Sequence, residues 1–429
     1  MPKILRRIVP AIIVILALIV AFSGGVIADR TLLAGPLRDP LPPGSPPDFS
    51  LIREAWDRID SVYVDRAALQ SQPLTYGAIS GMVSALGDTG HSAFLSPEMV
   101  RQQQSFMQGS YVGVGMEIQM KEGQVVIVAP MDGSPALEAG LRSGEVILKV
   151  DGADISGLSL QEVVQRIVGE AGTPVTLTVF DAGSVKTFDV TLKRARIELK
   201  NVSWKALPGT DFADLRIAAF SERVTKDLKA ALEEIRRGGF RGIVLDLRND
   251  PGGILDEAIG VTSQFLDRGN VLLEKNAAGL TQPVPVQPGG LAPDVPMVVL
   301  INGGTASAAE IVAGALQDAQ RASLVGEKTF GTGTVLGMFP LSDGSQLLLA
   351  TREWLTPKGR EIWHQGISPD IPVVHPAGTS PLRPATLDGM TPQELRSSGD
   401  AQLLKAIDVL SAQQKSQPKS AALSWRPIP

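Results

Sequence analysis

Apolar positions along the chain change period several times, and each change predicts a new kind of element. Residues 8–28 form an uncharged apolar run, broken only by Pro10 and by Ser23-Gly24-Gly25. From Asp48 the apolar positions (Ile52, Ala55, Trp56, Ile59) take helical spacing, and a second helical stretch covers 76–86. Between 110 and 195 short β-type runs at 125–128, 146–150, 175–180 and 187–192 alternate with glycine turns, and helical pieces follow Ser134 and Ser159. Beyond 196 strands alternate with helices. Residues 212–217 read as a strand, 224–236 as an amphipathic helix, 242–248 as a buried strand, and 254–266 as a helix. Residues 297–301 are apolar at every position, the mark of a strand buried on both faces. This rhythm predicts an α/β core whose ligands meet the loops at the strand ends. One last amphipathic helix is expected over 391–413, from Leu395, Leu403, Leu404, Ile407 and Leu410.

The strand at 297–301 breaks at Asn302-Gly303-Gly304, and helical spacing restarts at Ala308 (Ile311, Val312, Ala315, Leu316). Ser307 sits at the joint. A serine on a tight strand-to-helix turn stands proud of the sheet, and the first free N–H groups of the helix can stabilise an oxyanion beside it. Ser307-Ala308-Ala309-Glu310 is also a capping box, in which the serine would only end the helix. A second glycine loop, Asn249-Asp250-Pro251-Gly252-Gly253, follows the strand at 242–248. Glycines let backbone approach closely, so an N–H of Gly252 or Gly253 can complete an oxyanion hole with that of Ala308. The glycine pair could equally serve a helix-entry turn.

Composition narrows the chemistry. At 429 residues and 44% hydrophobic content, two or three domains with ample core are expected. The net charge of −5, with acids and bases interspersed, gives no nucleic-acid footprint. Cysteine is absent, which excludes disulfides, a cysteine nucleophile and cysteine-ligated metal. The three histidines, His91, His364 and His375, lack metal-ligand spacing, so neither metal nor other cofactor is expected and each is a candidate proton carrier. Lys3, Arg6 and Arg7 precede the apolar run of about 20 residues, which suits a retained membrane anchor with a cytoplasmic N-terminus. Val26-Ile27-Ala28 leaves a cleaved signal peptide as the alternative. Six prolines within 31–47 make an extended spacer.

Two resemblances add to this. Tyr111-Val112-Gly113-Val114-Gly115-Met116, Ser134-Pro135-Ala136, Ala139-Gly140-Leu141, Gly144-Glu145-Val146-Ile147 and Val150-Asp151-Gly152 come in the order of a PDZ domain. The resemblance implies that the loop Val112, Gly113, Val114, Gly115 and Met116 offers backbone N–H groups to a peptide's terminal carboxylate, the peptide adding as a strand. Further on, DLRNDPGG (246–253), NGGTASAAEIVAGALQD (302–318), VGEKTFGTG (325–333) and LTPKGREIWHQGISPDI (355–371) resemble a C-terminal processing peptidase with a tricorn-like core. The likeness spans about 50–376 and implies that Ser307 is a nucleophile. The expected organisation is an anchor or signal at 1–30, a linker at 31–47 and a helical cap at 48–106. An inserted α+β PDZ domain follows at 107–195, an α/β peptidase core at 196–376, and a C-terminal helix and tail at 377–429.

This sequence departs from the family at the base. The family's Gly-Lys-Gly, followed three residues later by glutamine, is here Gly331-Thr332-Gly333 with Leu336. Threonine cannot take the serine proton at neutral pH, and leucine cannot orient a base. Lys328 lies four positions upstream, a helical turn or more than 10 Å of strand away. Related tricorn-type peptidases draw a histidine from the helical cap, and His91 in LGDTGHSAF resembles that residue. The same likeness makes Glu361 the candidate to orient it. His364 competes for the role of base; His375 lies beyond the core. The expected function is an envelope-anchored serine endopeptidase acting on unfolded or tail-exposed proteins, and the alternative is a PDZ scaffold whose core has lost catalysis. The oligomeric state is left open.

Overall fold

The computed structural model describes residues 48–416 except 88–91, 122, 131–133, 143–144, 159, 182–184, 199, 377–378 and 380. The apolar run at 8–28, the spacer at 31–47 and His91 therefore lie outside the described residues. Among those described, no helix is long and apolar enough to cross a membrane. The expected cap region divides at Ser71 between two compact units, Met1–Ser71 and Gln72–Pro429. In the first unit Asp48 caps the helix Phe49–Val62 by accepting the Ser50 N–H at 3.0 Å.

The second unit centres on a six-stranded sheet in sequential order: β1 (Val202–Ala206), β2 (Phe212–Ile217), β3 (Gly242–Asp246), β4 (Met297–Ile301), β5 (Ser323–Gly326) and β6 (Ile371–Pro372). The β1–β2 pair is antiparallel and the other pairs are parallel. Alternate residues of the continuous apolar strands enter different cores, which is why every position is apolar. Ile243, Leu245, Met297, Val299 and Ile301 pack under α1 (Val224–Arg237), α2 (Leu255–Phe265) and α3 (Ala308–Asp318). Val244, Val298, Leu300 and Val325 face the other way, against Leu403, Ala406, Ile407 and Leu410 of α4 (Ala401–Ser416).

The helix expected over 391–413 is thus two helices. A short one, Pro392–Arg396, is capped by Thr391, and the chain then breaks at Gly399 (φ 82°) before α4 begins. Amphipathic period alone did not register the Ser397-Ser398-Gly399 break, nor that α4 covers a whole face of the sheet. Beneath α4, Arg248 lies between Asp246 at 2.8 Å and Asp400 at 2.9 Å, all three side chains fully buried. Arg216 stands 3.5 Å from Asp246. Burial alone would raise the Asp246 carboxyl, but Arg248 and Arg216 outweigh it and hold the group below its ordinary pKa.

A separate five-stranded path, Met116–Lys121, Gln124–Pro130, Val146–Val150, Pro174–Asp181 and Lys186–Lys193, encloses its own core around Ile127, Ile147, Val163 and Leu177. This is the stretch expected to be a PDZ domain, entered and left through the paired strands Ser110–Gly113 and Ala195–Glu198. A third sheet joins Ala93–Leu95, Gln346–Leu355, Asn270–Lys275 and Thr281–Pro285, with Thr334–Pro340 beside Gln346–Leu355.

Candidate active site

Asn302, at the end of β4, starts a set of bonds that ties the two glycine loops together. Its side-chain Oδ1 accepts the Asn249 N–H at 2.9 Å, and its Nδ2 donates to Asn249 Oδ1 at 2.9 Å. Thr305 donates its hydroxyl to the Leu247 carbonyl at 2.8 Å, and the Ala306 N–H donates to the Asp250 carbonyl at 2.9 Å. Glycine is obligatory at the seam. A side chain at 252 (φ 88°) would start 2.7 Å from the Ala306 carbonyl, the Ala308 nitrogen and Ser307 Cβ alike.

Ser307 itself takes φ 52°, ψ −118°, outside the regions open to ordinary residues, at a cost on the order of 1–3 kcal/mol. Its hydroxyl makes no cap hydrogen bond; the Glu310 N–H donates to the Ser307 carbonyl instead, at 2.8 Å. The backbone around it is polarised for an anion. The N–H groups of Ala308, first residue of α3, and of Gly253 donate to no described residue. That of Gly252 is taken by Asp250 Oδ1 at 2.8 Å. Of the glycine pair, Gly253 is therefore the one with a donor to spare. Asp250 is buried, its Oδ2 meets no described partner, and burial pushes the carboxyl well above the usual range.

Thr332 reaches this turn, its Oγ1 accepting the Ser307 N–H at 3.1 Å. It is buried, and segment 361–366 lies against its neighbours: a side chain at 333 would start 2.2 Å from the Trp363 nitrogen. Leu336 sits half-buried at a bulge, paired with Ala350, and Lys328 is exposed. Glu361 is exposed, 3.9 Å from Lys275, and that lysine bonds Glu353 more closely at 2.8 Å. No bond of Glu361 to Ser307 or Thr332 is present. His364 is exposed and stacks on Trp363 at 4.8 Å between centroids, while its backbone N–H donates to the Gly331 carbonyl at 3.0 Å. His375 Nε2 lies 3.0 Å from Thr379 Oγ1, and Nδ1 is 3.9 Å from Asp400.

His91 lies outside the described residues, but Ser92 next to it is fixed: its Oγ accepts the Ala350 N–H at 3.0 Å, and Ala350 is the cross-strand partner of Leu336. In the PDZ domain, Val112, Gly113, Val114, Gly115 and Met116 all line a groove of about 1160 Å³. Val164 and Ile167 of the helix Leu160–Ile167 form one wall, and Met99 and Phe106 of the helix Pro97–Met107 form another. The loop carbonyls are held from below, Val114 by the Ala136 N–H at 2.9 Å and Gly115 by the Ser134 hydroxyl at 2.7 Å. Sequence reasoning missed three of these features: the charge pair under α4, the buried carboxylate of Asp250, and the reach of Glu310 beyond its own helix turn. The acids of DLRNDPGG were the available signal for the first two.

Comparison with known proteins gives the family. Residues 211–373 match the model of peptidase family S41, and residues 126–179 match that of the PDZ domain. The carboxy-terminal-processing protease of Bartonella bacilliformis is 38% identical over 328 residues, covering 75% of this chain and 74% of the relative. The carboxyl-terminal-processing protease of Synechocystis sp. is 37% identical over 369 residues, covering 85% of this chain and 83% of the relative. Among solved structures, a photosystem II D1 C-terminal processing protease superposes with a TM-score of 0.53 at 30% identity, over 82% of this chain and 97% of that one. The chain belongs to peptidase family S41, among the PDZ-containing carboxyl-terminal-processing proteases, and is by that membership a serine-type hydrolase.

Proposed function

We propose that the chain is an envelope-anchored endopeptidase that cuts unfolded or tail-exposed proteins, with Ser307 as nucleophile and His91 as base. The observation that carries this reading is the strained Ser307 turn flanked by the uncommitted N–H groups of Ala308 and Gly253. Ser307 Oγ attacks the scissile carbonyl while His91 takes its proton. The two N–H groups hold the oxyanion, and His91 returns the proton to the leaving amine. Water then releases the acyl group by the same route. Support for His91 comes from Ser92, held one strand away from position 336, and from the absence of lysine at 332. Glu361 is the weakest member of the triad, since its closest cation is Lys275. Lys3, Arg6, Arg7 and the apolar run at 8–28 support a membrane anchor with the bulk of the chain on the extracytoplasmic side.

The test is covalent labelling. A fluorophosphonate probe should modify Ser307 in the full chain, read by peptide mass, and prior acylation by a good substrate should protect it. Thr332 favours a second reading, in which the core is inert and the PDZ domain acts as a scaffold. Absence of both labelling and cleavage, with peptide binding intact, would establish that reading instead.

The PDZ groove takes the substrate's C-terminus. Peptides with a free, apolar C-terminus should bind the full chain, and amidation should weaken binding about tenfold or more, because the loop N–H groups lose a charged acceptor. Titration calorimetry showing equal affinity for the two forms would remove this role.

A further inference from the structure

Glu310 does far more than its place in a capping box requires. One carboxylate accepts four hydrogen bonds: Oε1 from the Thr329 hydroxyl and from the Gly331 N–H at 2.8 Å, Oε2 from the N–H groups of Ser307 and Thr332, both at 2.9 Å. That uses the whole acceptor capacity of the group. The four donors come from two separate segments, the turn bearing Ser307 and the segment 329–332. We propose that Glu310 is a positioning residue of the peptidase site, a staple that fixes the Ser307 turn against the segment carrying Thr332.

The chemistry of the four donors makes this staple specific to a carboxylate. Three are backbone N–H groups, which cannot accept. The fourth, Thr329, already accepts the Ile367 N–H at 2.7 Å, so its hydroxyl proton is committed to Glu310. Any hydrogen placed on the Glu310 oxygens therefore meets another hydrogen unless the Thr329 bond reverses. A glutamine brings two such hydrogens, and an aspartate, one methylene shorter, cannot reach both segments. Glu310 is fully buried, and burial pushes its carboxyl upward, against the pull of the four donors. Helix capping alone would need only the Ser307 N–H and would tolerate glutamine.

The catalytic consequence rests on the peptidase reading above; the staple itself does not. In the full chain, Glu310→Gln should lower kcat about 100-fold, the scale of an ångström-sized misplacement of a reacting group, with KM changed less than about threefold. Thr329→Val, which removes one donor and keeps the shape, should lower kcat roughly tenfold in a chain that still folds. Hydrogen exchange supplies the independent arm. In Glu310→Gln the amides of Ser307, Gly331 and Thr332 should lose protection while those of β3 and β4 keep it. Wild-type kcat in both variants, or unchanged protection of Gly331 and Thr332, overturns the proposal. Should the wild-type chain itself prove inert, the peptidase reading has failed, and the exchange arm alone decides the staple: faster local exchange supports it, and unchanged exchange rejects it.

Discussion

Ser307→Ala should abolish cleavage of an unstructured reporter while leaving the fold in place. The serine hydroxyl makes no cap bond in the folded chain, so its loss should change stability by less than about 1 kcal/mol. Turnover should fall on the order of 10⁶-fold, because a nucleophile and its base act as one unit. His91→Ala should cost a similar amount for the same reason, and combining the two should add little. The wild-type rate should rise with pH through an apparent pKa of about 6.5, since only neutral imidazole can accept the serine proton. A rate still climbing well above pH 8 would point to a lysine instead. Lys328 is exposed and four residues from Thr332, so Lys328→Ala should keep most of the activity. Normal turnover in the histidine variant, or a dead lysine variant, would assign the base elsewhere.

Asp400→Ala should be the most damaging single change outside the site. It removes one of the two carboxylates that flank Arg248 and leaves a fully buried guanidinium half-compensated. Breaking a buried pair from one side costs about 3–5 kcal/mol. In a core of this size that lowers the melting midpoint by roughly 6–20 °C. Arg248, two residues after Asp246, leads into the loop that carries Gly252 and Gly253, so turnover should fall with stability. Replacing both partners by apolar residues, as in Arg248→Met with Asp400→Leu, should recover little of the midpoint, because the buried Asp246 carboxylate then loses its closest cation. The network also sets a pH limit. Asp246 has a depressed folded pKa, so the stability it contributes is full above its unfolded value of about 4 and is lost as pH falls through the folded value. A midpoint within a degree of wild type in Asp400→Ala would show that the pair stabilises nothing.

The elements were legible where a local pattern determines them. The run Met297-Val298-Val299-Leu300-Ile301 has the pattern of a doubly covered strand, and it is one. The glycine loops were legible because close backbone approach leaves few other residues possible. What stayed hidden depends on pairs far apart in the chain. Glu310 three residues after Ser307 reads as a cap, and nothing local shows that its carboxylate also serves residues about 20 positions on. The period of 391–413 gave an apolar face but not the sheet it covers. Glu361 was placed by likeness to a motif, and the half-buried Lys275 beside it was invisible to that argument.

The Arg248–Asp400 pair joins residues 152 positions apart. A chain made from its N-terminus therefore holds Arg248 with Asp246 but without its second carboxylate until residue 400 has been produced. At about 5–20 residues per second that interval is roughly 8–30 s. During that time the strand leading into the loop of Gly252 and Gly253 lacks one of its two buried ion pairs, and the face of the sheet covered by α4 stays open. Sequence separation thus sets a minimum delay before the buried charge network of the core can close.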